Sequence, residues 1–317
     1  MRFHNEFLPI GLVLFGHTSA VPTAKTPSPL LARAYTGYDG CSTDQTNKIN
    51  RALQDAAVMA RFHTTNRGSQ TYRSSPAYTN YFQDDEDDTG VEAMLNNIGQ
   101  QYQPPAPGSG QSGAGAPITL ITVNQFTVHV TCRDDAICSD SSGGTKSLVV
   151  TDISPKTGSF TPSMRFCPQF FATNEPRTVN NLDSLSYVQN PKRGVKSWCK
   201  TGEKFSFFEV AGTTVLHELT HLNEAGNRAG LASHDDGQGG MTQGTDDIYG
   251  TKGYSLDPQA AARQLHVNWK KIIDAKPTPP KDQWPPYVEK LNAESYAASV
   301  TEWWFMSKCN FDSIIGN

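Results

Sequence analysis

Hydrophobic and polar positions follow three rhythms along this chain, and each predicts a different kind of element. From Ser42 onward, Ile49, Leu53, Ala56 and Ala60 recur at helical spacing. Ser42 and Gln45 stand at capping-box separation, so a helix is predicted to begin there. Ile118 to Cys132 is rich in Ile, Val, Thr and Phe with partial alternation, which predicts a strand; Ser147 to Ile153 and Met164 to Phe171 predict two more. The run Phe207 to Leu222 is different. Phe207, Phe208, Val210, Ala211, Val215, Leu216, Leu219 and Leu222 make it apolar on most sides, as a buried helix is. Asp257 before Pro258 starts a further helix reaching about Ile273, with Asp as cap and Pro in the first turn. Beyond a proline-rich connector, Pro277 to Pro286, a last helix runs from about Pro286 to Met306 and carries Tyr287, Leu291, Tyr296, Val300, Trp303 and Trp304. Strands lead up to the Phe207–Leu222 segment and helices follow it, an α+β order.

That buried segment contains His217-Glu218-Leu219-Thr220-His221, an H-E-x-x-H pattern. On a helix, His217 and His221 stand on one face, one turn apart. Two imidazoles so placed can share Zn²⁺, and Glu218 beside them can take a proton from metal-bound water. Three fixed positions in five arise by chance in many helices, where the histidines are merely packed or exposed. The apolar flanks separate this case from those, because buried His and Glu side chains need partners and a metal is one.

The rest of the composition narrows the setting. A formal net charge of −4, with no basic patch, argues against nucleic acid as a partner. Residues 1–20 read as a secretory signal peptide: Arg2 near the start, an apolar run Phe7–Gly16 too short to span a bilayer, then Thr18-Ser19-Ala20 as a cleavage site. No later segment is long and apolar enough to be transmembrane, so a secreted monomer without membrane contact is expected. Six cysteines behind a signal peptide predict three disulfides. Cys132 with Cys138 is the local pairing, and Cys41 with Cys309 would tie the ends together. Residues 21–117 form an N-terminal segment, mainly helical and then low in complexity, which is either a pro-region or part of the domain. Residues 118–317 form the domain that carries the motif. The acidic run Asp84–Asp88 lacks the spacing of a calcium loop and reads as a solvated surface.

A hydrolytic zinc site needs a third protein ligand. Asn227 stands where the extended H-E-x-x-H-x-x-G-x-x-H form has its third His. Glu294 and Glu302 are candidates of the kind thermolysin-like enzymes use, and Glu294 reads otherwise as a polar residue supporting the site or facing water. A nearer source is Gly244-Thr245-Asp246-Asp247-Ile248-Tyr249-Gly250. His234, Asp235 and Asp236, in the long glycine-rich loop between Glu224 and Gln243, are competing donors.

His217–His221 followed by Gly244-Thr245-Asp246-Asp247 and Tyr249-Gly250 resembles the aspzincins, the deuterolysin-type and lysine-specific metalloendopeptidases secreted mostly by fungi. Phe166–Phe171 and Asn292–Ala297 also resemble segments of deuterolysin-related peptidases, so the likeness extends over roughly residues 118–306. The resemblance implies a zincin-like fold, Zn²⁺ as cofactor, an Asp as third ligand, and a following Tyr that helps hold the transition-state oxyanion. This chain is one residue short of the family spacing. Counting from Gly244-Thr245 favours Asp247 as ligand, and counting back from Tyr249-Gly250 favours Asp246; Asp247 is preferred. Tyr249 is the matching tyrosine, with Tyr254 in reserve. The expected activity is endopeptidase cleavage of protein or peptide substrates, with Glu218 as general base. The competing expectation is a secreted zinc-binding or surface-adhesive protein with little or no turnover.

Overall fold

The spacing at Ser42 is realised as a cap: the Ser42 hydroxyl accepts from the Gln45 amide, and the Gln45 side chain accepts from the Ser42 amide at 2.8 Å. The helix it opens is one of two that sandwich the H-E-x-x-H segment. The computed structural model describes residues 35–83, 89–100, 127–134, 138, 147–152, 161–235, 241–251 and 253–317. The expected signal peptide, the acidic run 84–88, the low-complexity stretch 103–117, most of the strand expected from Ile118, and Asp236 lie outside the described residues.

Within them the elements are β1 (Tyr35–Asp39), α1 (Thr43–Phe62), α2 (Pro76–Thr79), α3 (Thr89–Gly99), β2 (Val128–Thr131), β3 (Val149–Asp152), β4 (Ser163–Phe166), α4 (Phe205–Phe208), α5 (Ala211–Thr220), α6 (Asn223–Arg228), β5 (His234–Asp235), β6 (Met241–Thr242), α7 (Pro258–Asp274) and α8 (Ala293–Cys309). This is a mixed α+β fold. β1 to β4 form one sheet in the order β1-β2-β4-β3, with β1, β2 and β4 parallel and β3 antiparallel along one edge. Alternation sends Tyr35, Val128, Val130, Met164, Phe166 and Val149 to one buried face, against the helices. Thr151 pairs with Met164, so it lies on that same face, toward α5.

α5 carries His217 and Glu218, and nearly all of it is buried. α1 crosses it closely at Gly212, where a Cβ would lie 2.6 Å from the Asp55 Cβ and 3.0 Å from the Ala56 amide nitrogen. Only glycine permits that approach. On the other side lies α8, enclosed from Ala293 to Met306, with Trp303 and Phe305 fully buried. Enclosed on all sides, with Glu294 and Glu302 among its buried residues, α8 packs against α1, α2, α5 and α7 and is the central post of the molecule. Residues 35–99 thus supply an edge strand and a core helix to the same hydrophobic cluster that holds α5.

Three local expectations are corrected. The last helix starts at Ala293 rather than near Pro286, because the chain first makes a short 3₁₀ turn, Glu289–Leu291, and then extends at Asn292, which bridges to Asp246. The Phe207–Leu222 segment breaks at Glu209 into α4 and α5, and His221 caps α5 rather than lying inside it. The disulfides are Cys41–Cys132, Cys138–Cys167 and Cys199–Cys309, not Cys132–Cys138 or Cys41–Cys309. Parallel pairing decides the first of them: Asp39 is in register with Thr131, so the chain leaving β1 carries Cys41 to Cys132. Cys309, at the end of α8, instead meets Cys199.

The close crossing at Gly212 generates a stability prediction. Gly212→Ala gains helix propensity but forces α1 and α5 apart, and overpacking of this kind costs about 1–3 kcal/mol. Urea unfolding should show a lower midpoint for the variant; an unchanged or higher midpoint would mean that the two helices do not depend on this contact.

Candidate metal centre

His217 sits in the last turn of α5 and His221 at its cap, which brings their Nε2 atoms to 3.3 Å. The third member comes from the loop after β6. Gly244 lies against the end of α5, where a Cβ would fall 1.9 Å from the His221 carbonyl oxygen. Thr245 then anchors the loop: its amide donates to the Thr220 carbonyl at 3.0 Å, and its hydroxyl meets that of Thr220 at 2.7 Å. Asp246 and Asp247 follow, and the chain turns their side chains in opposite directions. Asp246 contacts His234 at 3.0 Å, while Asp247 Oδ1 stands 2.9 Å from His217 Nε2 and 3.4 Å from His221 Nε2. Backbone bonds hold this division, from the Asp246 amide to Leu291 O (2.7 Å) and from the Ala293 amide to Asp246 O (3.0 Å).

His217, His221 and Asp247 therefore form a group able to hold a metal ion, the only such group of three among the described residues. The separations test the fit. Ligands about 2.0–2.1 Å from a small divalent ion stand roughly 3.3 Å apart in a tetrahedral shell, and the three observed separations are 2.9, 3.3 and 3.4 Å. The outer ring nitrogens fit as well. His217 Nδ1 lies 3.1 Å from Glu294 Oε2, and His221 Nδ1 lies 2.7 Å from the Thr245 carbonyl. Each Nδ1–H donating outward leaves Nε2 as a lone pair pointing inward, the tautomer a metal requires.

The electrostatics point the same way. The surrounding protein disfavours ionisation of Asp247, although its side chain is 39% exposed, yet the adjacent His217 and His221 outweigh this and hold the carboxyl far below the usual range. Burial also disfavours a charged His217, but Asp247 and Glu294 outweigh it and raise its pKa well above that of a free imidazole. His221 is raised too, with Asp247 again overcoming burial. The centre of this group favours positive charge.

Glu218 points from α5 toward β3. Its carboxyl is buried, which raises its pKa, and Oε2 accepts from the Thr151 hydroxyl at 2.8 Å. The Tyr249 ring lies 6.4 Å from that of His217 and is 39% exposed. The Asp247 charge, followed by burial, pushes its phenol far above the usual range, so it stays a hydrogen-bond donor.

Of the other candidates, Glu294 is at the site but behind His217, buried and raised in pKa chiefly by that burial. Glu302 is elsewhere: fully buried, it pairs with Arg263 at 2.6 Å and accepts from Tyr81. Asn227 bonds Gln243, Tyr254 packs against Tyr287, and Asp235 is exposed on the β5 strand. The sequence did not single out Thr151, which lies in a short strand with nothing in its neighbours to mark it. No family model matches the chain, and no curated protein is significantly similar to it.

Metal binding by single-site variants checks the ligand set. His217→Ala, His221→Ala and Asp247→Ala should each lose more than about 100-fold in zinc affinity, beyond the cost of losing an outer hydrogen-bond partner, and Asp246→Ala should bind near the wild-type level. Glu294→Gln should fall in between, with a loss of roughly 10–100-fold through a misaligned His217. Competition titration with a chelating dye reads all five; normal binding by Asp247→Ala would remove it from the set.

Proposed function

We propose that this chain is a secreted, zinc-dependent endopeptidase of the aspzincin type, with a zincin-like fold. The observation that carries the reading is Glu218. A site built only to hold a metal needs His217, His221, Asp247 and their outer hydrogen bonds; it has no use for a further buried carboxyl beside them. A hydrolytic site does. When bound, zinc supplies the Lewis acidity that activates water and polarises a scissile carbonyl. Glu218 accepts the proton from that water and delivers it to the leaving amine. Tyr249, protonated and half-exposed at the rim, donates to the oxyanion of the tetrahedral state. Asp247 adds negative charge that a neutral third ligand would not, which tempers the Lewis acid and leaves more of the water activation to Glu218.

A peptide substrate is supported by the sheet. Among the described residues β3 has a strand partner, β4, on one side only, and it runs beside Glu218. An extended peptide can add to such an edge through main-chain hydrogen bonds, which brings its carbonyls past the site without demanding particular side chains. The setting fits secretion. The three disulfides belong to an oxidising compartment, and among the described residues no helix is long and apolar enough to cross a membrane.

Glu218→Gln separates turnover from binding. The variant should bind zinc like the wild type and lose roughly 10²–10⁴-fold in kcat on casein or a peptide library. Undiminished hydrolysis by the variant would rule out this mechanism. A wild-type protein that holds zinc and cleaves nothing would instead be a secreted zinc-binding protein.

A further inference from the structure

Glu218 has one task that the metal ligands do not share: its two oxygens must do different things. One must face the water whose proton it takes, and the other must be held so that the carboxyl plane does not turn. Neither α5 nor the ligand loop supplies that restraint. The hydrogen bond to the Glu218 carboxyl comes from across the helix–sheet boundary, where Thr151 Oγ1 lies 2.8 Å from Oε2 and 3.2 Å from the Glu218 carbonyl oxygen. No other hydrogen-bond partner of the carboxyl is found among the described residues.

We infer that Thr151 is a positioning residue for the general base, engaging Oε2 of Glu218 so that Oε1 is the oxygen presented to water. The inference rests on the peptidase reading and specifies how its base is aimed. The register of the sheet makes it possible. Thr151 pairs with Met164 and faces the helices, whereas its neighbours Val150 and Asp152, opposite Arg165 and Ser163, face the other way. A slip of one residue would turn the hydroxyl from Glu218 to the far side of the sheet. The antiparallel pairing of β3 with β4 therefore sets the orientation of a side chain on a helix that belongs to neither strand. β-Branching restricts χ1 of a threonine, so a strand threonine places its hydroxyl with little rotamer freedom.

The test uses the zinc-loaded full chain as secreted. Thr151→Val keeps the branched shape and removes the hydroxyl; Thr151→Ser keeps the hydroxyl. Thr151→Val should retain zinc stoichiometry and KM within about twofold while kcat falls roughly 10–100-fold, as misplacement of a reacting group predicts. Thr151→Ser should recover most of that loss. A structural role would move zinc content, thermal midpoint or KM, and would not be rescued selectively in kcat by serine. Wild-type kcat in Thr151→Val overturns the inference. So does a Thr151→Ser variant that folds and binds zinc but itself loses roughly 10–100-fold in kcat against the wild type; this second criterion stands if the valine protein fails to fold. A crystallographic readout is independent of turnover: Glu218 should occupy one carboxyl orientation in the wild type and more than one in Thr151→Val, and a single unchanged orientation in both overturns the proposal. If the wild type binds zinc and hydrolyses no peptide, the peptidase reading fails, and this crystallographic comparison decides the Thr151–Glu218 restraint by itself.

Discussion

Two imidazoles one helical turn apart can share a metal only if both present the same nitrogen to it, and that requirement organises the structure around α5. A histidine ring has two equivalent-looking faces and two tautomers, so something outside the helix must bond each Nδ1. For His217 it is the Glu294 carboxylate; for His221 it is the Thr245 carbonyl. Both partners trace back to one place. Glu294 lies in the first turn of α8, and the Thr245 loop is stitched to the residues just before that helix by the pairing of Asp246 with Asn292. α8 thus orients one histidine directly and the other through the loop it holds. Its burial on all sides follows from this position, as does the late start of its helical backbone, which is extended where it pairs with the loop.

The loop shows how much information a short sequence can carry. Gly244 lets the chain approach the His221 carbonyl, Thr245 bonds to α5 through side chain and backbone, and the next two residues divide between roles. Chemically, Asp246 and Asp247 are the same ligand. What separates them is the backbone alternation imposed by the Leu291–Ala293 bridge, which aims one carboxyl at His234 and the other at the imidazole pair.

The H-E-x-x-H spacing, the capping box at Ser42, the Asp257-Pro258 helix start and the strands around Val149 and Met164 were legible because each rests on local geometry: helical period, a side chain within reach of a nearby amide, or alternation. The choice between Asp246 and Asp247 was only half legible, since counting residues from either end gave different answers and a distant segment breaks the tie. The disulfides were misjudged for a related reason. Cys132 and Cys138 are close in sequence, but the parallel alignment of β1 with β2 brings Cys41 to Cys132 across 91 residues. Thr151 could not have been found by pattern at all; its role exists only because β3 runs beside Glu218. For Glu294 the sequence left a supporting role and a solvent-facing one open, and only the contact with His217 Nδ1 decides between them.

The central claim is that His217, His221 and Asp247 bind one zinc ion through Nε2, Nε2 and a carboxylate oxygen. Anomalous diffraction at the zinc absorption edge, from crystals of the purified zinc-loaded protein, tests it most directly. A single peak is expected at about 2.0–2.2 Å from those three atoms, with Glu294 and the Thr245 carbonyl still bonded to the outer ring nitrogens and Asp246 turned away. A peak coordinated by Asp246 or Glu294 in place of Asp247, or no zinc between the two histidines, would contradict it.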